Sequence, residues 1–310
     1  MADPFRGARE RRVMAAGEGT LDLELRAVHK MLEARGIEAA DVDAWMVSSF
    51  IPDTFGAQNA AYLAQRLGVT KPAWNFESTC TSSIVGLQTA SALIRAGEYD
   101  RVAVVVSIAS SKLVEPDDSL AWFLGDGAGV FLVEKCGAGD GILGTAIIGT
   151  PESCDAFRCE MEAAADDGRP VVRWKVGDAA AGRSMRDNAG DQVRRCVAAA
   201  LDRAGHTQED VDFFVFNTPV AWFASFAARS LGIDLARTSS VYDRYANIGA
   251  VLTPANLFHA VHEGLIKDGD LIVLFGVGSV STAGAVVMRW NGAALGPAPK
   301  AGRVLSREQS

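Results

Sequence analysis

An α/β protein built from two duplicated halves is the fold this sequence predicts, and three observations predict it. The chain repeats itself: "AADVDAWMVSSF" (around 40–50) resembles "QEDVDFFVFNTP" (208–219), "AAYLAQRLGV" resembles "SFAARSLGI", and "DRVAVVVS" resembles "DLIVLFGV", at a spacing of roughly 164–170 residues. "GDGAGVFLVEK" likewise resembles "STAGAVVMRW". Within each copy, short β-rich apolar runs alternate with helical patterns, which implies a mostly parallel sheet covered by helices. The chain has 310 residues and is 49% hydrophobic, enough for one large domain or two closely packed halves.

The elements follow in order. Strands are expected at about 44–51, 73–77, 101–108 and 128–134, with helices at about 20–35, 56–67 and 81–96 between them. The second half is expected to give strands at about 142–149, 212–217, 239–243, 270–276 and 283–290, and helices at about 187–204, 220–231 and 249–263. The last two strands of each half follow one another closely enough to be antiparallel. This sets an N-terminal half at 1–137, a C-terminal half at 138–292 and a flexible tail at 293–310, with the halves joined near "CGAGDG" (136–141). The opening strand "GILGTAIIG" of the second half has no twin, because the offset places that twin before residue 1. The first half is therefore expected to lack its opening strand. Residues 150–185 read as an irregular polar excursion over a site, and "GPAPKAGRVLSREQS" as a mobile tail.

The net charge of −8, with no basic tract, argues against a nucleic-acid protein. The apolar runs are too short to span a bilayer, and the charged N-terminus has no apolar stretch behind it, so no membrane partner and no secretory signal are expected. Five scattered cysteines (80, 136, 154, 159 and 196) suit a cytoplasmic protein with reduced thiols.

One cysteine is placed differently from a packing residue. In "ESTCTSSIVGLQTA" (77–90), Cys80 sits at the polar start of an apolar helix, among Ser78, Thr79, Thr81, Ser82 and Ser83. The repeat sets it opposite Asn247 in "YANIGAVLTPANLF". In a fold with a pseudo-twofold axis, the two helices can point their N-termini at one another. A thiolate gains from the positive end of a helix and its unpaired N–H groups, which is a physical reason to place a nucleophile there. A small buried filler is the alternative reading.

At these residues the chain resembles the ketoacyl-ACP synthase III branch of the thiolase superfamily. "GARERR", "ESTCTSSIVGLQTA", "FLGDGAGVFLVEK", "DRYANIGAVLTPANLF" and "IKDGDLIVLFGVGSVSTAGAVVMRW" occur in the family's order and carry the resemblance over nearly all of residues 7–290. It implies a thiolase-like fold, two α/β halves with mixed five-stranded-type sheets layered α-β-α-β-α. It implies that Cys80 accepts an acyl group from acyl-CoA or acyl carrier protein (ACP) as a thioester, with Asn247 as the family's catalytic asparagine. The turn at Gly278, Ser279 and Val280, with the Cys80 amide, is the implied oxyanion hole. No permanently bound cofactor is implied; CoA or the carrier thioester is a substrate. A homodimer is also implied, formed through the strand "AWNFES".

The chain departs from the family at the histidine that assists decarboxylation, where "FFVFNTPVAWF" places Asn217. None of His29, His206, His259 and His262 fits that role. Asparagine is no base near neutral pH, although its amide can donate to an oxyanion. Thioester exchange at Cys80 is thus expected to survive and malonyl decarboxylation to suffer, with Asn217→His expected to raise decarboxylation. Five positions on, an arginine the family often uses for carrier contact is replaced by Trp222. The upstream aromatic that clamps the CoA adenine has no counterpart here, so either CoA recognition differs or a longer native chain exists.

Other features weigh less. Glu77 is a candidate base near Cys80, with a solvated or structurally paired carboxylate as the favoured reading. Trp222 and Phe223 are candidates for an acyl tunnel or partner contact, with plain core as the alternative. "GDGAG" (125–129) precedes a strand rather than a helix and reads as a turn, and no zinc or other metal set is expected from Cys154 and Cys159 or from "HAVHE". Three functions remain open: an acyltransferase passing an acyl group from Cys80 to a second substrate in fatty-acid, polyketide or other secondary-metabolite biosynthesis; a decarboxylative carbon–carbon condensing enzyme; and a weakened or non-catalytic partner subunit of an active homologue.

Overall fold

The computed structural model describes residues 6–115, 119–163, 170–278 and 282–299. In the first half, α1 (Thr20–Arg35) leads to β1 (Ala44–Phe50), α2 (Gln58–Leu67), β2 (Ala73–Asn75), α3 (Ser82–Arg95), β3 (Arg101–Ala109) and β4 (Asp126–Glu134). The strands form one sheet in the order β2-β1-β3-β4, parallel except for the antiparallel β3–β4 pair. β1 and β3 are buried on both faces, as the unbroken apolar runs "AWMV" and "VAVVV" require. Each buried valine of β3 contributes about 1.5–3 kcal/mol relative to exposure.

The second half repeats the plan. β5 (Gly141–Gly149), α4 (Ala179–Ala204), β8 (Phe213–Phe216), α5 (Phe223–Leu231), α6 (Tyr242–Tyr245), α7 (Leu252–His262), β9 (Leu271–Val277) and β10 (Thr282–Arg289) follow in chain order, with β6 (Phe157–Ala163) and β7 (Pro170–Val176) inserted after β5. The sheet order is β5-β10-β9-β8, with β8–β9 parallel and the other pairs antiparallel. α3 and α7 each touch both sheets and form the central layer; α1 and α2 cover the first sheet from outside, and α4 and α5 cover the second. The result is an α-β-α-β-α stack.

Three sequence expectations need correction. The strand at 239–243 is not there, so among the described residues the second sheet has four strands rather than the expected five: only Thr238 bridges Phe214, and the chain then turns into α6, which buries Tyr242 against the core. Packing of a large aromatic outweighs the β-rich character of "SSVYD". The excursion at 150–185 is not irregular in its described residues, 150–163 and 170–185. β6 and β7 pair antiparallel, and Trp174 packs on Phe50 and Phe157 while its amide donates to Leu113 O (3.0 Å). The alternating charges of "FRCEMEA" and "PVVRWKV" hide this hairpin; they pair along and across it, as in Lys175–Glu162 (3.0 Å). α4 begins at Ala179, eight residues before the sequence suggests, because the Asp178 carboxylate caps it by accepting from Ala180 N (3.1 Å) despite Gly182 and Gly190.

Among the described residues no strand precedes Ala44, and β4 has no strand on its outer side, whereas its counterpart β10 is covered by β5. A groove of about 1760 Å³ runs along that open edge between α1 and residues 290–297; Cys80, Asn217 and Asn247 do not line it. Of the tail, residues 291–299 are described: they have no helix or strand, and Leu295 packs on the core beside Trp290. Residues 300–310 lie outside the described residues.

Candidate active site

The two halves meet where the repeat places Cys80 and Asn247. A short 3-10 turn, Thr79–Thr81, leads into α3, and another, Gly249–Val251, leads into α7. The Ser83 hydroxyl donates to Ala250 O (2.8 Å), tying the head of one central helix to the head of the other. Each candidate residue follows a strained one: Thr79 has φ +51° and Ala246 has φ +56°. The left-handed region is unfavourable for a β-branched threonine, and such conformers cost about 1–3 kcal/mol each and persist only where the surroundings impose them. Strain at both pseudo-equivalent positions marks them as built features.

Cys80 is half-buried on its turn. The turn is held by Ser78 N donating to Ser82 Oγ (2.9 Å) and by Thr81 Oγ1 donating to Ser78 O (2.9 Å). It is locked to β10 by contacts of Thr282 Oγ1 with the hydroxyls of Ser78 and Thr81, both 2.7 Å. Glu77 retains solvent contact as a residue, but its carboxylate faces the turn and accepts from Thr79 N, Ser48 Oγ (3.1 Å) and Ser82 Oγ (3.2 Å). Burial of that carboxyl raises its pKa, against the lowering effect of these donors, with Thr79 N the foremost.

Asn247 is 4% exposed. Its backbone is fixed by Asn247 N donating to Phe123 O (2.9 Å) and Gly125 N donating to Asn247 O (3.0 Å), so "FLGDG" serves as a rail for it. Its Oδ1 accepts from Gly249 N (2.9 Å), whereas Nδ2 has no partner among the described residues and remains able to donate.

Asn217 is arranged otherwise. It is fully buried; its Nδ2 donates to Val277 O (3.1 Å) and its Oδ1 accepts from Val277 N (3.1 Å), while its own amide donates to Phe275 O (2.9 Å). The side chain continues the β8–β9 ladder by one step, in place of backbone. Asn217 is thus not a freely placed donor: one Nδ2 hydrogen is left, and its direction is set by Val277. Gly278 follows, and its amide donates to Thr282 O (2.8 Å). Gly278 is packed so closely on the Cys80 turn that a Cβ would lie 2.4 Å from Thr81 Oγ1 and 2.6 Å from Thr79 Oγ1. The Gly278 amide is therefore committed, and Ser279 and Val280, the other members of the expected oxyanion turn, lie outside the described residues.

The aromatic pair divides. Phe223 is core, 4% exposed and stacked on Phe275 (6.5 Å), whereas Trp222 is 45% exposed beside Phe226. His259 is engaged elsewhere, with Tyr245 Oη (2.9 Å) at Nε2 and Arg244 (3.2 Å) at Nδ1; burial, and then Arg244, lower its pKa. Thr79, Ala246 and Thr282 were not singled out from the sequence. The run of hydroxyl residues around Cys80 was the available signal for a hydrogen-bonded turn, but no sequence rule predicts a threonine or an alanine at positive φ.

Two stacked α/β halves with a cysteine and an asparagine at facing heads of their central helices define a thiolase-like enzyme. The chain belongs to the 3-oxoacyl-[acyl-carrier-protein] synthase III family. The family's own profile matches residues 75–151, its C-terminal profile residues 201–290, and the thiolase N-terminal domain residues 9–108. Beta-ketoacyl-[acyl-carrier-protein] synthase III of Brucella suis is 30% identical over 288 residues, covering 92% of this chain and 88% of that one, and the Laribacter hongkongensis enzyme of the same name is 29% identical with the same coverage. The crystal structure of the Thermus thermophilus synthase III superposes with a TM-score of 0.80 at 29% identity, covering 91% of this chain and 88% of that chain.

Proposed function

We propose that this protein is an acyltransferase that carries an acyl group as a thioester on Cys80 and passes it to a second substrate. The observation that carries this reading is the presentation of Cys80 on a strained turn at the head of α3, facing the Asn247 turn, whose Nδ2 is unpartnered among the described residues. The donor is an acyl-CoA or acyl-ACP thioester, in keeping with relatives named for the acyl carrier protein. The Cys80 thiolate attacks the thioester carbonyl, the C–S bond to the carrier breaks, and the carrier leaves as a thiolate that takes a proton from solvent. The acceptor's O–H, N–H or S–H group then attacks the Cys80 thioester, the C–S bond to Cys80 breaks, and the acceptor's proton passes to the departing Cys80 sulfur, which regenerates the thiol. Asn247 Nδ2 donates to the carbonyl oxygen where negative charge develops. Trp222 offers an exposed aromatic contact for the donor's carrier. No permanently bound cofactor takes part.

An acceptor that brings its own nucleophile, an alcohol, amine or thiol, suits the site best, because Asn217 is no base and is bonded to Val277. Decarboxylative carbon–carbon condensation is the second reading, favoured by family membership and by Asn247 Nδ2, which has no partner among the described residues. Fatty-acid, polyketide or related secondary-metabolite biosynthesis supplies such substrates. Five free thiols support a reducing, cytoplasmic setting, and no helix of the described residues is long and apolar enough to cross a membrane.

Intact-protein mass spectrometry with a panel of acyl-CoAs and acyl-ACPs tests the reading. One donor class should add an acyl mass that is absent from Cys80→Ala, at a rate that rises with pH as the thiol ionises. No adduct across the panel would leave the non-catalytic partner subunit as the function. A homodimer through the outer edge of β2 is part of the proposal, since β2 is an edge strand. Sedimentation at micromolar concentration should show twice the chain mass, and a monomer alone would refute it.

A further inference from the structure

We infer that Glu77 is a positioning residue: its carboxylate holds Thr79 in the left-handed region and thereby presents Cys80 at the head of α3. Three observations meet there. Thr79, at φ +51°, is the residue immediately before Cys80, and its Oγ1 is buried without a partner among the described residues, so no bond of its own side chain there offsets the strain. Its amide donates to Glu77 Oε1, two residues back, which fixes the peptide on the N-terminal side of the strained residue. The same carboxylate is anchored to the sheet by Ser48 on β1 and to the helix head by Ser82, the first residue of α3, on the far side of Thr79. Glu77 thus links the sheet, the strained residue and the helix head. An acceptor-only group is what three converging donors require, and this use of its oxygens makes a general base at Glu77 the poorer reading.

The inference rests on Cys80 being the nucleophile, but it is tested on the thiol alone, with iodoacetamide, so failure of acyl transfer does not decide it. Alkylation of Cys80 is followed by peptide mass spectrometry at a pH where the rate no longer rises. Glu77→Ala should slow it about tenfold, as the conformer that presents the thiol loses the bond that holds it. Glu77→Gln, which keeps an acceptor for the Thr79 amide, should stay within about threefold of the unmodified protein. Thr79→Gly in the Glu77→Ala background should restore most of the rate, because glycine occupies the left-handed region without a brace. A role in bulk stability alone would not be rescued at residue 79. Unchanged alkylation in Glu77→Ala, or a slowed rate that Thr79→Gly leaves slow, overturns the inference. Should Glu77→Ala fail to fold, the single variant Ser48→Ala, which removes one anchor of the carboxylate, is expected to slow alkylation measurably, and an unchanged rate there overturns it equally.

Discussion

Replacing Asn217 by histidine is expected to weaken the protein and slow its Cys80 chemistry rather than restore decarboxylation. The carboxamide of Asn217 presents a donor and an acceptor side by side to the carbonyl and amide of one residue, Val277, at 3.1 Å each. The two nitrogens of an imidazole diverge around the ring and cannot meet both groups of a single residue. At this fully buried position, the Val277 N–H and C=O would each lose a partner, at about 1–3 kcal/mol apiece. For a chain of this size that corresponds to a fall in Tm of roughly 3–9 °C. The loss falls on the segment that carries Gly278 against Thr79 and Thr81, so acyl-adduct formation on Cys80 should drop by about tenfold or more. Differential scanning calorimetry and timed intact-mass measurements check both. A variant with unchanged Tm that decarboxylates malonyl thioesters faster than the unmodified protein would reinstate the simpler view that only an imidazole is missing.

The second large effect concerns Glu24, a carboxyl with no solvent exposure on α1. Ser49 Oγ (2.6 Å) and Ser107 Oγ donate to its Oε1 and Asn59 Nδ2 (3.0 Å) to its Oε2. Desolvation pushes its pKa from 4.5 up to about 7; the hydrogen bonds from Ser107, Ser49 and Asn59 oppose this, and the neighbouring Asp53 charge adds to it. The folded state therefore holds this proton over a range where the unfolded chain has released it. Stability from this group is fully present below the unfolded value of 4.5 and is lost as pH rises through about 7. The shift corresponds to about 3 kcal/mol between the two limits. Asp53, Asp43 and Glu134 are shifted downward by their partners, so they act with the opposite sign and in the acid range. The comparison that isolates Glu24 is with Glu24→Gln, which keeps the polar contacts without the charge. Urea unfolding at pH 5 and pH 8 should show the unmodified protein losing roughly 2–3 kcal/mol relative to that variant, and parallel pH profiles for the two proteins would refute the assignment.

The sequence by itself determined the duplication, the alternation of strands and helices, and the pairing of Cys80 with Asn247. All three follow from periodicity and local composition, which are properties of neighbours along the chain. The repeat even anticipated that two helix heads would meet, as the Ser83–Ala250 hydrogen bond shows. What escaped it depended on contacts between distant residues. "FRCEMEA" and "PVVRWKV" form a hairpin only because Trp174 finds Phe50 and Leu113. "SSVYD" is no strand because Tyr242 has a core to enter. Asn217 read as a replacement donor because its place along the chain matched the family's histidine. What tertiary structure added is that a carboxamide beside the open end of a strand ladder hydrogen-bonds to the backbone it faces, which sets the direction of its remaining hydrogen. Thr79 and Ala246 show the same limit most plainly. Neither residue type favours positive φ, and only the surrounding hydrogen bonds and packing, assembled from both halves, compensate for the strain of holding them there.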